Sequence, residues 1–130
     1  MAVRAERPLV VVDAENVRRS GWPNLSPRGL IQAAQAYARE RELALLVVFD
    51  GPAPGGATAE TPVDDRVTMA GTTAESADDW IARRTAELAL AGRRLWLVSS
   101  DRALRERVGG AAERVVGGGS FLRELRRGNR

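Results

Sequence analysis

Residues 9–17 read "LVVVDAENV", and the fold is decided there. Four apolar residues rich in valine run without a polar interruption into Asp13, with Glu15 and Asn16 close behind and Arg18 and Arg19 following. A continuous valine run of this length is the pattern of a strand buried on both faces, which belongs in a parallel sheet covered by helices. Such a strand does not end in a carboxylate by hydrophobic logic, so Asp13 marks the edge of the sheet where chemistry is to be sought.

Two further runs repeat the pattern, "LALLVVF" at 43–49 and "RLWLV" at 94–98. Between the first two lies "SPRGLIQAAQAYARERE", where Ser26 suits an N-cap and Pro27 a first helical position. Leu30, Ala33, Ala34 and Tyr37 then recur at helical spacing. Strand, helix and strand alternate, so the class is α/β with a mainly parallel sheet. Residues 51–65, "GPAPGGATAETPVDD", have no periodicity and read as a long flap or an unstructured loop. After it come a short strand "RVTMA" (66–70) and a helix "SADDWIARRTAELALAG" that stops at Gly92. The third apolar run follows, then a short helix "DRALRERV", a weak strand "RVV" (114–116) and a closing amphipathic "SFLRELRR". The expected strand order is 3-2-1-4-5. At 130 residues the chain is expected to form a single domain over 1–130, with its core at about 8–126.

Composition works mostly by exclusion. Hydrophobic content of 44% with 28% charge is that of a globular chain. No apolar run approaches the roughly 20 residues needed to cross a bilayer. The run at 9–12 is too short for a signal peptide, so a cytoplasmic location without membrane contact is expected. The chain has no cysteine and no histidine, and all 20 basic residues are arginine. Thiolate nucleophiles, Ser-His-Asp triads, Schiff-base lysines and a P-loop lysine are therefore impossible. Hydrolytic chemistry would have to rest on carboxylates, through a hard cation held by oxygen ligands such as Mg²⁺ or Mn²⁺.

The carboxylates fall where such an ion would sit. In a sheet wound this way ligands lie beyond the carboxyl ends of the strands, where the order reverses. Asp13 ends the first strand, Asp50 the second, and Asp101 follows the fourth after Ser99 and Ser100. The long helix starts at the same edge, and Asp78 lies on the stripe of Ile81, Thr85 and Leu88 that faces the sheet. Glu75 is three residues before it. Asp79 is one residue round the helix and four before Arg83, the spacing of an exposed pair. Each acid also has an ordinary structural use: Ser76 with Asp79 matches a capping box, Asp101 suits the cap of the next helix, and Asp50 before Gly51 suits a turn. Several like charges on one edge repel unless a cation neutralises them.

"VVVDAEN", "VVFDG", "ESADDWI", "LVSSD" and "GGSFLREL", in this order, resemble the NYN domains of the PIN-like nuclease superfamily, in particular the YacP-like branch. The resemblance covers residues 8–126. It implies a three-layer Rossmann-like (PIN-like) domain and a metal-dependent ribonuclease using one or two Mg²⁺ or Mn²⁺ ions. Carried over by position, Asp13 and Asn16 are the D-x-x-N signature, Asp78 the helix acid, and Ser100 with Asp101 the element after the fourth strand. Where YacP-like members tend to have Gly and an aromatic, this chain has Ala14 and Glu15.

The leading expectation is hydrolysis of RNA in single-stranded or loop regions, leaving 5′-phosphate and 3′-hydroxyl ends, and the resemblance implies that the cuts are endonucleolytic. Asp13, Asp78 and Asp101 would hold metal directly or through water, with Asp50, Glu75 and Asp79 as further candidates. Asn16 and Ser100 would orient ligands. Glu15 is left open, as a ligand or as a solvent-facing partner of Arg18. Arg18, Arg19 and Trp22 would clamp a phosphate and stack a base, Trp22 alternatively being a packed loop anchor. Arg102 would widen the basic surface, together with Arg105, Arg123, Arg126 and Arg127. The competing expectation is an RNA-binding or protein-interaction module that keeps the fold without catalysis. A phosphate-handling enzyme of the receiver or haloacid-dehalogenase type would want a lysine, which is absent.

Overall fold

The computed structural model describes residues 7–128. Its strands are β1 (Leu9–Asp13), β2 (Ala44–Val48), β3 (Glu60–Pro62), β4 (Val67–Ala70), β5 (Leu95–Val98) and β6 (Arg114–Val116). Its α-helices are α1 (Ala14–Arg18), α2 (Pro27–Arg41), α3 (Ala77–Leu90), α4 (Arg102–Val108) and α5 (Gly118–Gly128). The valine runs do what their composition demands. Val10 and Val12 enter one apolar cluster and Val11 the other, because successive side chains of a strand point to opposite faces.

Three layers result. On one face α2 and α5 bring Leu30, Tyr37, Phe121 and Leu122 onto Val10, Val12 and Val47. Tyr37 and Phe121 meet edge to face with ring centroids 5.0 Å apart. On the other face α3 and α4 bring Trp80, Ile81 and Leu104 onto Val11, Leu95 and Leu97. Ser26 caps α2 as its position suggests, its hydroxyl accepting from Gly29 N–H at 3.0 Å, with Pro27 as the first helical residue.

The sheet order is β3-β4-β2-β1-β5-β6. The five parallel strands β4-β2-β1-β5-β6 stand in the order expected from the sequence, and β1 sits between β2 and β5 where the winding reverses. The sixth strand is a correction. The segment 51–65, read as a loop without structure, holds a 3₁₀ turn at Pro54–Gly56 and the strand β3, antiparallel to β4. The turn that makes this pairing is built by Asp64, whose Oδ1 accepts from Arg66 N–H at 2.8 Å and Val67 N–H at 2.7 Å. Pro62 is tolerated because β3 is an edge. Among the described residues no helix is long and apolar enough to cross a membrane.

Candidate functional site

The register of the central strands sets the site. Val11 pairs with Leu97 and Val12 with Val98 in the parallel β1–β5 ladder, so Asp13 and Ser99 come next on adjacent strands. Both fall on the α3 side of the sheet by the period of two. Ser99 is fully buried, and its hydroxyl donates to Asp13 Oδ2 at 2.9 Å while accepting from Asp101 N–H at 3.1 Å. Asp13 occupies the N-cap position of α1 yet makes no side-chain cap bond.

Asp13, Asp50, Asp78 and Asp101 line one open pocket of about 550 Å³, together with Glu15, Asn16, Arg19, Ser20, Ser76 and Ala77. Burial pushes the Asp13 carboxyl above its ordinary value. The Ser99 hydroxyl and the nearby Asn16 N–H work against that rise, and the charges of Asp78 and Asp101 add to it. Asp78 is also raised, first by burial and next by the charge of Asp101. Arg107 opposes the rise, and Asp50 and Asp79 reinforce it. These acids feel one another across the pocket.

The other expected residues separate. Asp50 accepts from Ala77 N–H at 3.0 Å, so it both lines the pocket and caps α3. Asp101 accepts from Leu104 N–H at 3.2 Å, capping α4 as well. Asp79 is exposed and pairs with Arg107 of α4 at 2.7 Å. Its expected partner Arg83 pairs instead with Glu75 at 2.6 Å, and Glu75 does not line the pocket. Asn16 Oδ1 accepts from Ser100 N–H at 2.9 Å, and Ser100 Oγ accepts from Gly118 N–H at 2.8 Å. A Cβ on Gly118 would stand 2.2 Å from Asn16 Oδ1, so α5 can close on this corner only with glycine there.

Glu15 lines the pocket and holds Arg18 at 2.5 Å, while Arg18 Nε donates to Leu25 O at 2.8 Å. Arg18 is thereby committed to the loop. Arg19 lines the pocket with its side chain 70% exposed, 3.7 Å from Glu15. Trp22 is 86% exposed, which rules out the packed-anchor alternative. Arg102 is exposed on α4 and does not line the pocket. By sequence the orienting of ligands falls to Asn16 and Ser100, and Ser99 is passed over. Continuing the alternation of β5 from Leu97 would have found it, since Ser99, not Ser100, shares the face of Asp13.

The donor set is all hard oxygen, which suits Mg²⁺ or Mn²⁺. Among the described residues no three acidic side chains stand close enough to hold a single ion between them. The pocket therefore fits an ion that keeps much of its water shell, as Mg²⁺ does, and does not fit a fully dehydrated one.

The sequence profile of the YacP-like NYN domain matches residues 9–130. No curated protein matches the chain. Among solved structures, the fold is similar to that of Rae1 (YacP) from Bacillus subtilis, with a TM-score of 0.69 at 20% identity over 95% of this chain and 76% of that one. A point mutant of the same Bacillus subtilis protein gives a TM-score of 0.70 at 21% identity, covering 95% of this chain and 78% of that one.

Proposed function

The chain belongs to the YacP-like NYN domain family of the PIN-like nuclease superfamily, and on that premise we propose that it is a cytoplasmic, single-domain, metal-dependent endoribonuclease. The observation that carries this reading is the set of mutually repelling carboxylates, Asp13, Asp78 and Asp101, at the carboxyl edge of β1 and β5. When bound, one or two Mg²⁺ or Mn²⁺ ions supply positive charge for the phosphate oxygens and a lowered pKa for the attacking water. Asp13, Asp78 and Asp101 would hold that charge, with Asp50 on the rim. Ser99 fixes the Asp13 carboxylate and ties it to the Asp101 backbone. Asn16 anchors the turn after β5 through Ser100, which keeps Asp101 in register with the first strand. Arg19 stands at the mouth to receive a phosphate of the incoming chain. In this reading water attacks phosphorus and the P–O3′ bond breaks with the 3′-oxygen leaving, so the products carry 5′-phosphate and 3′-hydroxyl ends.

The test is cleavage of an end-labelled single-stranded RNA pool with Mn²⁺, Mg²⁺ or EDTA, comparing the native chain with Asp13→Asn. Metal-dependent internal cuts that vanish in the variant and leave 5′-phosphates are expected. Cuts that persist in EDTA, or 2′,3′-cyclic phosphate ends, would overturn the mechanism. A second reading, an RNA-binding module without catalysis, is favoured by the spacing of the acids, no three of which converge closely among the described residues. On that reading no cleavage occurs with any metal, and removing Arg19 weakens RNA binding while Asp13→Asn leaves it intact.

A further inference from the structure

We propose that the loop at residues 19–25, braced on α5, is a single-strand platform beside the acid pocket: Trp22 stacks an unpaired base of the RNA while Arg19 takes a neighbouring phosphate. The inference rests on the nuclease reading for the identity of its ligand. The three tryptophans behave differently. Trp80 is buried against the α3–α4 core, and Trp96 is covered by the Arg114 guanidinium 4.6 Å above its ring. Trp22 alone of the three leaves its indole in water. Tryptophan carries a large apolar body that ordinarily packs.

Looseness of the loop does not explain that exposure. Leu25 N–H donates to Arg18 O at 3.2 Å and Arg18 Nε returns a bond to Leu25 O at 2.8 Å, closing the loop at its base. Arg126 of α5 donates to Pro23 O at 2.9 Å. Gly21 lies so close to α5 that a Cβ there would be 2.8 Å from a Leu122 methyl and 3.1 Å from Arg126 Nη1. The residues on both sides of Trp22 are held against the domain, and its side chain is turned outward.

Its position relative to the pocket follows from chain length. Ser20 lines the pocket, and a Cα two residues away lies within about 7.6 Å. Charge then gives the strand a direction. On the α3 side Asp50 and Asp78 line the pocket, and the arginines beyond them are already paired, Arg107 with Asp79 and Arg83 with Glu75. On the α1–α5 side Glu15 also lines the pocket but is held by Arg18, while Arg19 lines it with its side chain 70% exposed. There α5 adds the exposed Arg123 and Arg126, the latter bonded among the described residues only to the Pro23 carbonyl. A polyanion leaving the acid pocket is repelled on the first side and received on the second. An indole face accepts any base but needs it unstacked, so the platform selects single-stranded RNA over duplex.

The experiment is an RNA titration in EDTA at low salt, read by tryptophan emission and by anisotropy of a labelled short RNA, single-stranded or duplex. Native protein is expected to bind the single strand with quenching of its emission. Trp22→Ala is expected to weaken that binding by roughly 5- to 160-fold, the range for loss of one stacked base, and to leave duplex binding unchanged. Trp22→Phe should retain most of the affinity while losing the quench. Unaltered single-strand affinity in Trp22→Ala, an equal loss for duplex, absence of quenching in the native chain, or no RNA binding at all would each overturn the platform. Binding is read without metal, so a chain that never cleaves RNA can still pass this test, and one that cleaves it can still fail.

Discussion

Asp64 and Asp13 are the same residue type put to opposite uses in one sheet. Asp64 sits in the β3–β4 turn. Partial burial works against its charge, but the Arg66 N–H, the Gln35 amide, the Val67 N–H and the Arg39 charge outweigh it and hold the carboxyl below its ordinary value. Asp13 sits at the end of β1, where the Ser99 hydroxyl and the Asn16 N–H do not offset burial and two neighbouring acids, and its carboxyl is raised. A carboxylate that serves the fold is surrounded by donors and gains from being ionised there. One whose donors are outweighed by burial and by neighbouring acids costs the fold something whenever it is charged. The protein stabilises its turn acid with donors of its own and gathers its pocket acids where burial and their mutual charge raise them.

The contrast is sharpened most by activity. Removing the Ser99 hydroxyl with Ser99→Ala should lower cleavage by roughly 10- to 100-fold, the range for losing an outer-shell partner, and Asp13→Asn should cost more than that. Asp64→Ala should leave cleavage of the folded protein within about 2-fold while destabilising the chain by about 1–3 kcal/mol, because its turn donors lose their acceptor. Equal losses of activity from Ser99→Ala and Asp64→Ala would erase the distinction between the two sites.

A smaller effect is expected from pH in the absence of divalent ions. The folded carboxyl of Asp13 is raised above the 3.8 of the free side chain, so its contribution is fully present below that pH. Stability is then lost as pH rises through the elevated value. Asp64 has the opposite sign: its contribution is present above its unfolded value and is lost as pH falls through the lowered one. Thermal unfolding in EDTA should therefore find Asp13→Asn more stable than the native chain near neutral pH, with the gap closing in acid. A gap that widens in acid would contradict the assignment. The smallest change is Asp79→Ala, which removes an exposed pair with Arg107 and should move stability by no more than about 1 kcal/mol and cleavage hardly at all.

Much of this architecture was legible in the sequence because buried parallel strands write themselves as unbroken valine runs. The parallel order, and the gathering of Asp13, Asp78 and Asp101 around one pocket, follow from those runs and from helical spacing. Three features escaped for physical reasons. The strand β3 depends on a turn in which one aspartate replaces a backbone acceptor, and a Gly- and Pro-rich composition hides it. The partner of Asp79 is Arg107 on another helix, because a tertiary contact outcompetes the local four-residue pair with Arg83. Arg18 and Arg19 look alike in sequence, yet Glu15 and the Leu25 carbonyl commit the first to the loop and leave the second at the pocket mouth.

The central claim is that the repelling acids form a divalent-cation site, and the most direct measurement is Mn²⁺ binding followed by the paramagnetic resonance signal of the free ion. The native chain is expected to bind one or two Mn²⁺ and to lose this binding in Asp13→Asn and in Asp78→Asn, while Asp64→Ala binds as the native chain does. Binding that survives both pocket substitutions, or no binding to the native chain at millimolar Mn²⁺, would contradict it.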